Sequence, residues 1–196
     1  MEEDRESGHC TIDLADIRNQ CPILLSTFKE TMRYRSLGTQ VRICLEDQVL
    51  NGRYLLKKGG IVTIPQLVQH TSEDAWGSSV YQFDHLRFMK GALARERRRT
   101  DHTAYRAFGG GHTMCPGRHF STTEIIAFAA LMVLQFDVAP VGDGTWKEPT
   151  WTNSPMVSTF QIPDKDFKVS VRAKGSRRWR VSFTKGVKDT NTNTSG

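Results

Sequence analysis

The stretch AFGGGHTMCPGRHF, residues 107–120, gathers the reactive chemistry of this chain around one sulfur. Gly109, Gly110 and Gly111 precede Cys115, and Pro116, Gly117 and Arg118 follow it. A free thiol ionises near about 8.5, and only its thiolate is a strong ligand or nucleophile. The apolar run after Gly117 predicts a helix starting just past the sulfur. Unpaired N–H groups and partial positive charge at such a helix start favour an anion. Glycines before the sulfur let the loop turn tightly and let a flat, bulky group approach the backbone. Pro116 and Gly117 set the exit angle. The pattern suits a thiolate that binds a metal or attacks as a nucleophile.

The residues alone leave several readings open. Cys115 as a small buried residue is the plainest. A nucleophilic cysteine needs a base, for which His112 or His119 is at hand, although neither lies in a known local signature. Zinc bound by His112, Cys115 and His119 would have three ligands where structural sites use four. A phosphate loop requires Gly-Lys-Ser/Thr after the glycines, and GGGHTM has none. The remaining reading is haem iron held by a cysteine thiolate.

The rest of the chain must position that sulfur. Its 196 residues make one domain or a large part of a bigger one. With 38% hydrophobic and 24% charged residues, the composition is that of a water-soluble globular core. The net charge of +6 favours acidic partners without naming one. Cys10, Cys21, Cys44 and Cys115 form no C-x-x-C pair, which reads as reduced and intracellular. MEEDRESGHC is neither a signal peptide nor an anchor, and the apolar run 125–136 is too short to span a bilayer.

Residues 1–12 read as an irregular, solvated lead. Helical spacing follows from Asp13 to Arg35, broken at Pro22 and ended by Gly38. Strands are expected near 41–45, 53–56 and 60–64 in one small antiparallel sheet, punctuated by Asn51-Gly52 and Gly59-Gly60. A brief helix is expected over 66–70, then a long meander over 71–106. The helix after Gly117 is apolar almost all round, which predicts burial on most sides. A loop over 139–155 and a β-hairpin around Gly175-Ser176 come next, then a disordered tail over 185–196.

Phe108, Gly111, Cys115, Gly117 and Arg118 fill the pattern F-x-x-G-x-x-x-C-x-G-R. This loop resembles the haem-binding loop of the cytochrome P-450 family of haem-thiolate monooxygenases. Two further motifs fit in order. Glu30 and Arg33 match the E-x-x-R pair of the family's K helix, and FDHLRF resembles its meander signature, with Arg87 as the third member and His85 where proline is common. Arg42 stands where the family grips a haem propionate. Thr113 replaces the Arg or His that often holds the other, and Ser121 replaces a later alanine. LADIRNQCPILLSTFKETMR has a fungal cast.

The resemblance implies a mainly α fold with small antiparallel β-sheets (α+β), the C-terminal, proximal part of the cytochrome P-450 fold, over residues 13–184. It implies haem b with Cys115 as the axial iron ligand. Phe108 would shield the sulfur, and Gly111 and Gly117 would permit close approach. The Glu30, Arg33 and Arg87 side chains would form a buried scaffold, with Trp76 as core packing. Leu37 to Thr39 and Met156-Val157 would border a pocket for a small organic substrate, lipid-like or a secondary metabolite. The arginine run at 95–99 would dock an acidic flavoprotein reductase that uses NADPH. No nucleic-acid partner is implied. Intact eukaryotic relatives would sit on the cytoplasmic face of the endoplasmic reticulum. The distal helix and the substrate roof have no counterpart here, so the chain reads as truncated and is expected to hold haem weakly by itself. The alternative is a non-catalytic remnant or interaction module.

Overall fold

Pro22 starts the helix that organises the first half of the chain, because its fixed φ and missing N–H suit a first helical position. In a computed structural model, which describes residues 2–4, 9–89, 103–155 and 158–183, that helix (α2, Pro22–Arg35) follows a shorter one (α1, Leu14–Gln20). The Asp13 side chain caps α1 by accepting from the Ala15 N–H at 2.7 Å. The chain divides into two compact units, each built from separated stretches.

One unit comprises residues 26–116 and 147–166. Strands β3 (Thr39–Ile43) and β6 (Ile61–Pro65) pair antiparallel, with Arg42 opposite Val62. Between them β4 (Gln48–Leu50) and β5 (Tyr54–Leu56) form a separate hairpin. The single sheet expected from the sequence is therefore two ribbons. The turn at Asn51-Gly52 is present, with φ of 52° and 64°, but turn chemistry does not choose strand partners. Helices α3 (Gln66–His70) and α4 (Glu73–Trp76) lead into the irregular meander. Its core is Trp76, Val80 and Ala104, with Phe88 and Tyr105 packed against them. The segment 147–166 joins through an isolated bridge between Ser36 and Phe160, and Leu37 N–H donates to the Thr159 carbonyl at 2.8 Å. The Arg35 guanidinium lies 4.0 Å over the Trp151 ring and donates to Glu148 and Gln161.

The other unit comprises residues 1–25, 117–146 and 167–196. Helix α5 (Arg118–Gln135) packs against α1 and against strands β7 (Phe136–Pro140) and β9 (Arg178–Ser182). The expected all-round burial of α5 is not found. Ile126 and Ala130 are buried, while Phe120 and Phe128 remain 73% and 65% exposed, because the packed neighbours cover one side only. The expected hairpin around Gly175 is also absent. Its two arms are strands, but β8 (Val169–Ala173) pairs with β7, and β9 pairs parallel with β2 (His9–Asp13). β2 in turn carries the short β1 (Glu2–Asp4). Residues 2–4 and 9–12, expected to be irregular, thus lie in strands, β1 on its neighbour β2 and β2 on the distant β9. The arginine run 95–99, Met156-Val157 and the tail 185–196 lie outside the described residues. Among the described residues, no helix is long and apolar enough to cross a membrane.

Candidate functional site

A buried charge cluster underlies the site. Glu30 and Arg33, one helical turn apart on α2, are 0% and 1% exposed. Two parallel bonds of 2.8 Å run from Arg33 Nε and Nη2 to the two Glu30 oxygens, the fork geometry that makes such pairs strong. Arg87 Nε reaches both oxygens at 3.1 Å, and the Asp84 N–H donates to one at 3.0 Å. One carboxylate therefore faces two guanidinium groups. The remaining donors find carbonyls: Arg33 Nη1 bonds His70 O at 2.8 Å, and Arg87 Nη2 bonds Ser79 O and Gln82 O. The structure brings together the three residues that the sequence placed in a scaffold, and leaves none of that carboxylate unpaired. The resulting brace joins α2 to the meander.

The cysteine loop is closed on itself. Cys115 N–H donates to the Phe108 carbonyl at 2.9 Å, and Gly109 N–H to the Arg106 carbonyl at 2.8 Å. A single 3-10 turn, Gly111–Thr113, carries the chain across, and Gly111 starts it with φ +66°, a conformation that strains residues with a Cβ. At Gly110 a Cβ would collide with the Arg106 guanidinium, so the missing side chain admits that cation to the loop. Cys115 is exposed. Arg42, on β3, extends to this loop: Nη2 lies 3.4 Å from the Gly110 carbonyl and hydrogen-bonds the Thr113 hydroxyl. Position 113, where the sequence departs from the family, is thus filled by a contact to Arg42. Gly117 and Arg118 begin α5 in the other unit. Gly117 has φ −79°, open to any residue, and Arg118 O accepts from the Thr122 hydroxyl at 2.7 Å.

The sequence reading overlooked the residues behind the loop. Gln66 Nε2 donates to Arg106 O at 2.7 Å, and His70 Nε2 accepts from Arg106 N–H at 2.9 Å. Burial, reinforced by the positive Arg33, lowers the His70 pKa to about 4. Burial and then the negative Glu30 push the Tyr105 phenol well above its usual range. The available signal was QLVQH, a polar pair ending an apolar helical turn where a surface helix would be expected to trail into charge.

The donor set fits a porphyrin with acidic side arms. A Cβ at Gly111 would meet nothing within 4 Å, so the loop has an open side. Arg42 has no carboxylate partner among the described residues. Gln40 Nε2 is buried and has no hydrogen-bond partner among the described residues, 3.8 Å from where a Cβ on Gly109 would stand. One accessible sulfur beside unneutralised donors matches a monothiolate iron ligand and anionic arms. The zinc reading lacks a ligand set, since no three His, Cys, Asp or Glu side chains converge among the described residues.

Mixed helices and small sheets, with a glycine-led cysteine loop braced by a buried E-x-x-R cluster, define the class of haem-thiolate proteins. A family model described as cytochrome P-450 matches residues 4–170, and this chain belongs to the cytochrome P-450 family. It is 35% identical over 182 residues to cytochrome P-450 monooxygenase nodJ of Hypoxylon pulicicidum, covering 90% of this chain and 35% of that one. A cytochrome P-450 monooxygenase of Gibberella zeae is 35% identical over 184 residues, covering 90% and 34%. Both relatives are fungal, in keeping with the cast of the sequence. The solved haem domain of a cytochrome P-450DA mutant superposes with a TM-score of 0.59 at 24% identity, covering 78% of this chain and 31% of that chain, and shares the fold. The chain spans about a third of the length of the curated relatives it matches.

Proposed function

We propose that this chain carries the cysteine-ligand side of a haem-thiolate monooxygenase acting on a small organic substrate, lipid-like or a secondary metabolite. The observation that carries the reading is the exposed Cys115 at the end of a self-closed glycine loop, with Arg42, which meets no carboxylate among the described residues, reaching onto it. Haem b would be held by the Cys115 sulfur, with Arg42 on a propionate, Phe108 beside the sulfur, and Gly111 and Gly117 admitting the ring. Arg118 completes the motif at the start of α5. When bound, the haem supplies dioxygen activation, and thiolate donation favours O–O cleavage. Overall, one oxygen atom enters the substrate and the other leaves as water, with two electrons drawn from NADPH through a flavoprotein reductase. The net charge of +6 supports an acidic reductase surface as the docking partner. Residues 13–184 form the haem-thiolate part in this reading, and the cytoplasmic face of the endoplasmic reticulum is its proposed location.

The test is spectroscopic. The purified chain is titrated with excess haem, reduced and exposed to carbon monoxide, beside a Cys115→Ala variant. Excess haem populates the complex even where retention is weak. The expected result is a thiolate-type band in the parent that vanishes in the variant. Identical spectra would overturn the reading and leave a non-catalytic module.

A further inference from the structure

His70 stands between the charge cluster and the cysteine loop. It ends α3, is 0% exposed, and bonds in both directions. Its carbonyl accepts from Arg33 Nη1 at 2.8 Å, and its ring Nε2 accepts from the Arg106 N–H at 2.9 Å. The Arg106 carbonyl then accepts from the Gly109 N–H, and the Phe108 carbonyl from the Cys115 N–H. A continuous path of hydrogen bonds and backbone leads from the Glu30 carboxylate to the residue bearing the sulfur.

Ring packing does not explain a histidine here. The imidazole stacks on Tyr105 at 5.8 Å and meets the edge of Trp76 at 6.3 Å, contacts that phenylalanine would also make. Its Nδ1 is buried and has no hydrogen-bond partner among the described residues. A neutral imidazole has one donor and one acceptor nitrogen. Because Nε2 accepts, the proton sits on Nδ1, where it goes unsatisfied. A buried orphan donor is costly, and an apolar ring would avoid it. The feature that an apolar ring lacks is the acceptor aimed at Arg106.

We propose that His70 is a positioning residue for the cysteine loop, its Nε2 fastening the Arg106 amide, and through it Phe108, Gly109 and Cys115, to the buried Glu30–Arg33–Arg87 cluster. The loop-fastening role stands in the haem-free protein. Its consequence for iron ligation rests on the function proposed above.

The experiment compares the full chain with His70→Phe, which keeps a ring and loses the acceptor, and His70→Gln, whose amide oxygen reaches near the Nε2 position. Site-resolved amide exchange is read at Arg106, Gly109 and Cys115 in haem-free protein, with α2 amides as reference. His70→Phe should speed exchange at these three amides by about tenfold or more while α2 is little changed, and His70→Gln should restore most of the protection. In the reduced carbon-monoxide spectrum, His70→Phe should shrink the thiolate-type fraction and His70→Gln should recover it. Unchanged loop exchange in His70→Phe, or equal acceleration in α2, would overturn the proposal. Should His70→Phe not fold, His70→Asn, whose shorter amide stops short of Arg106, takes its place with the same expectations. Loop exchange that follows the variants in a protein lacking any thiolate-type band would sink the proposed function and leave the positioning role standing.

Discussion

Replacing Glu30 by Gln removes the carboxylate that pairs with two buried guanidinium groups, those of Arg33 and Arg87. Four N–H donors converge on that carboxylate: Arg33 Nε and Nη2, Arg87 Nε and the Asp84 amide. Glutamine keeps one acceptor oxygen and presents an amide NH2 to donors on the other side. Two cations then remain buried beside a neutral group. Removing one partner of a buried pair costs about 3–5 kcal/mol, because an uncompensated charge is left behind. A domain's whole stability is about 5–15 kcal/mol, so this one atom change should take about a fifth of it or more. With a urea slope of about 2 kcal/mol/M, the midpoint should fall by roughly 2 M. Glu148→Gln is the matched control. Its carboxylate also bonds an arginine, Arg35, at 2.7 Å, but its side chain is 73% exposed. An exposed pair contributes under about 1 kcal/mol, or less than about half a molar unit of urea. Unfolding followed by far-ultraviolet circular dichroism reads both. Equal midpoints for the two variants would refute the claim that burial and shared hydrogen bonds make the Glu30 cluster the brace of this unit.

Three further outcomes follow from the same geometry. His70 is neutral in the folded protein down to about pH 4, held so by burial and by Arg33, with the Arg106 N–H on Nε2 and the Tyr105 and Trp76 rings against it. In the unfolded chain it protonates near 6.5. The unfolded state therefore binds more protons between those values. Stability should fall by up to about 3 kcal/mol as pH drops from 6.5 to 4, and His70→Phe should flatten that slope in urea titrations. Gly111→Ala should cost about 1–2 kcal/mol from its φ of +66° alone, since nothing crowds the added methyl, measured as a urea midpoint shift. Arg42→Ala should weaken haem binding in an absorbance titration, and Arg42→Lys should restore only part of it, because a point charge cannot reproduce the planar fork.

The local parts of this fold were legible in the sequence, and the distant pairings were not. Pro22, Gly38 and the apolar spacing between them mark α2, because helix ends are chosen by neighbouring residues. Asn51-Gly52 and Gly59-Gly60 marked real turns for the same reason. Strand partnership carries no such local sign. The alternating runs over 169–173 and 178–182 announce two strands, yet each pairs with a strand far away in the chain and neither with the other. β7 carries little local sign, because FDVAP is short and its partner β8 lies far along the chain. At the site, Glu30 and Arg33 alone read as a common surface pair one turn apart. Their burial depends on Arg87, fifty-seven positions from Glu30, and only the resemblance joined them. His70 escaped notice because its role is carried by a backbone amide, which leaves no trace in residue identity.

The pairing of β2 with β9 sets a timetable for a ribosome. Asp13, which caps α1, also accepts from the Ser182 hydroxyl, 169 positions downstream. At about 5–20 residues per second, on the order of ten seconds or more separates the emergence of these two strands. Throughout that interval β2 offers an unpaired edge to whatever meets it in the crowded space outside the exit tunnel, and nascent-chain chaperones would have most to shield there.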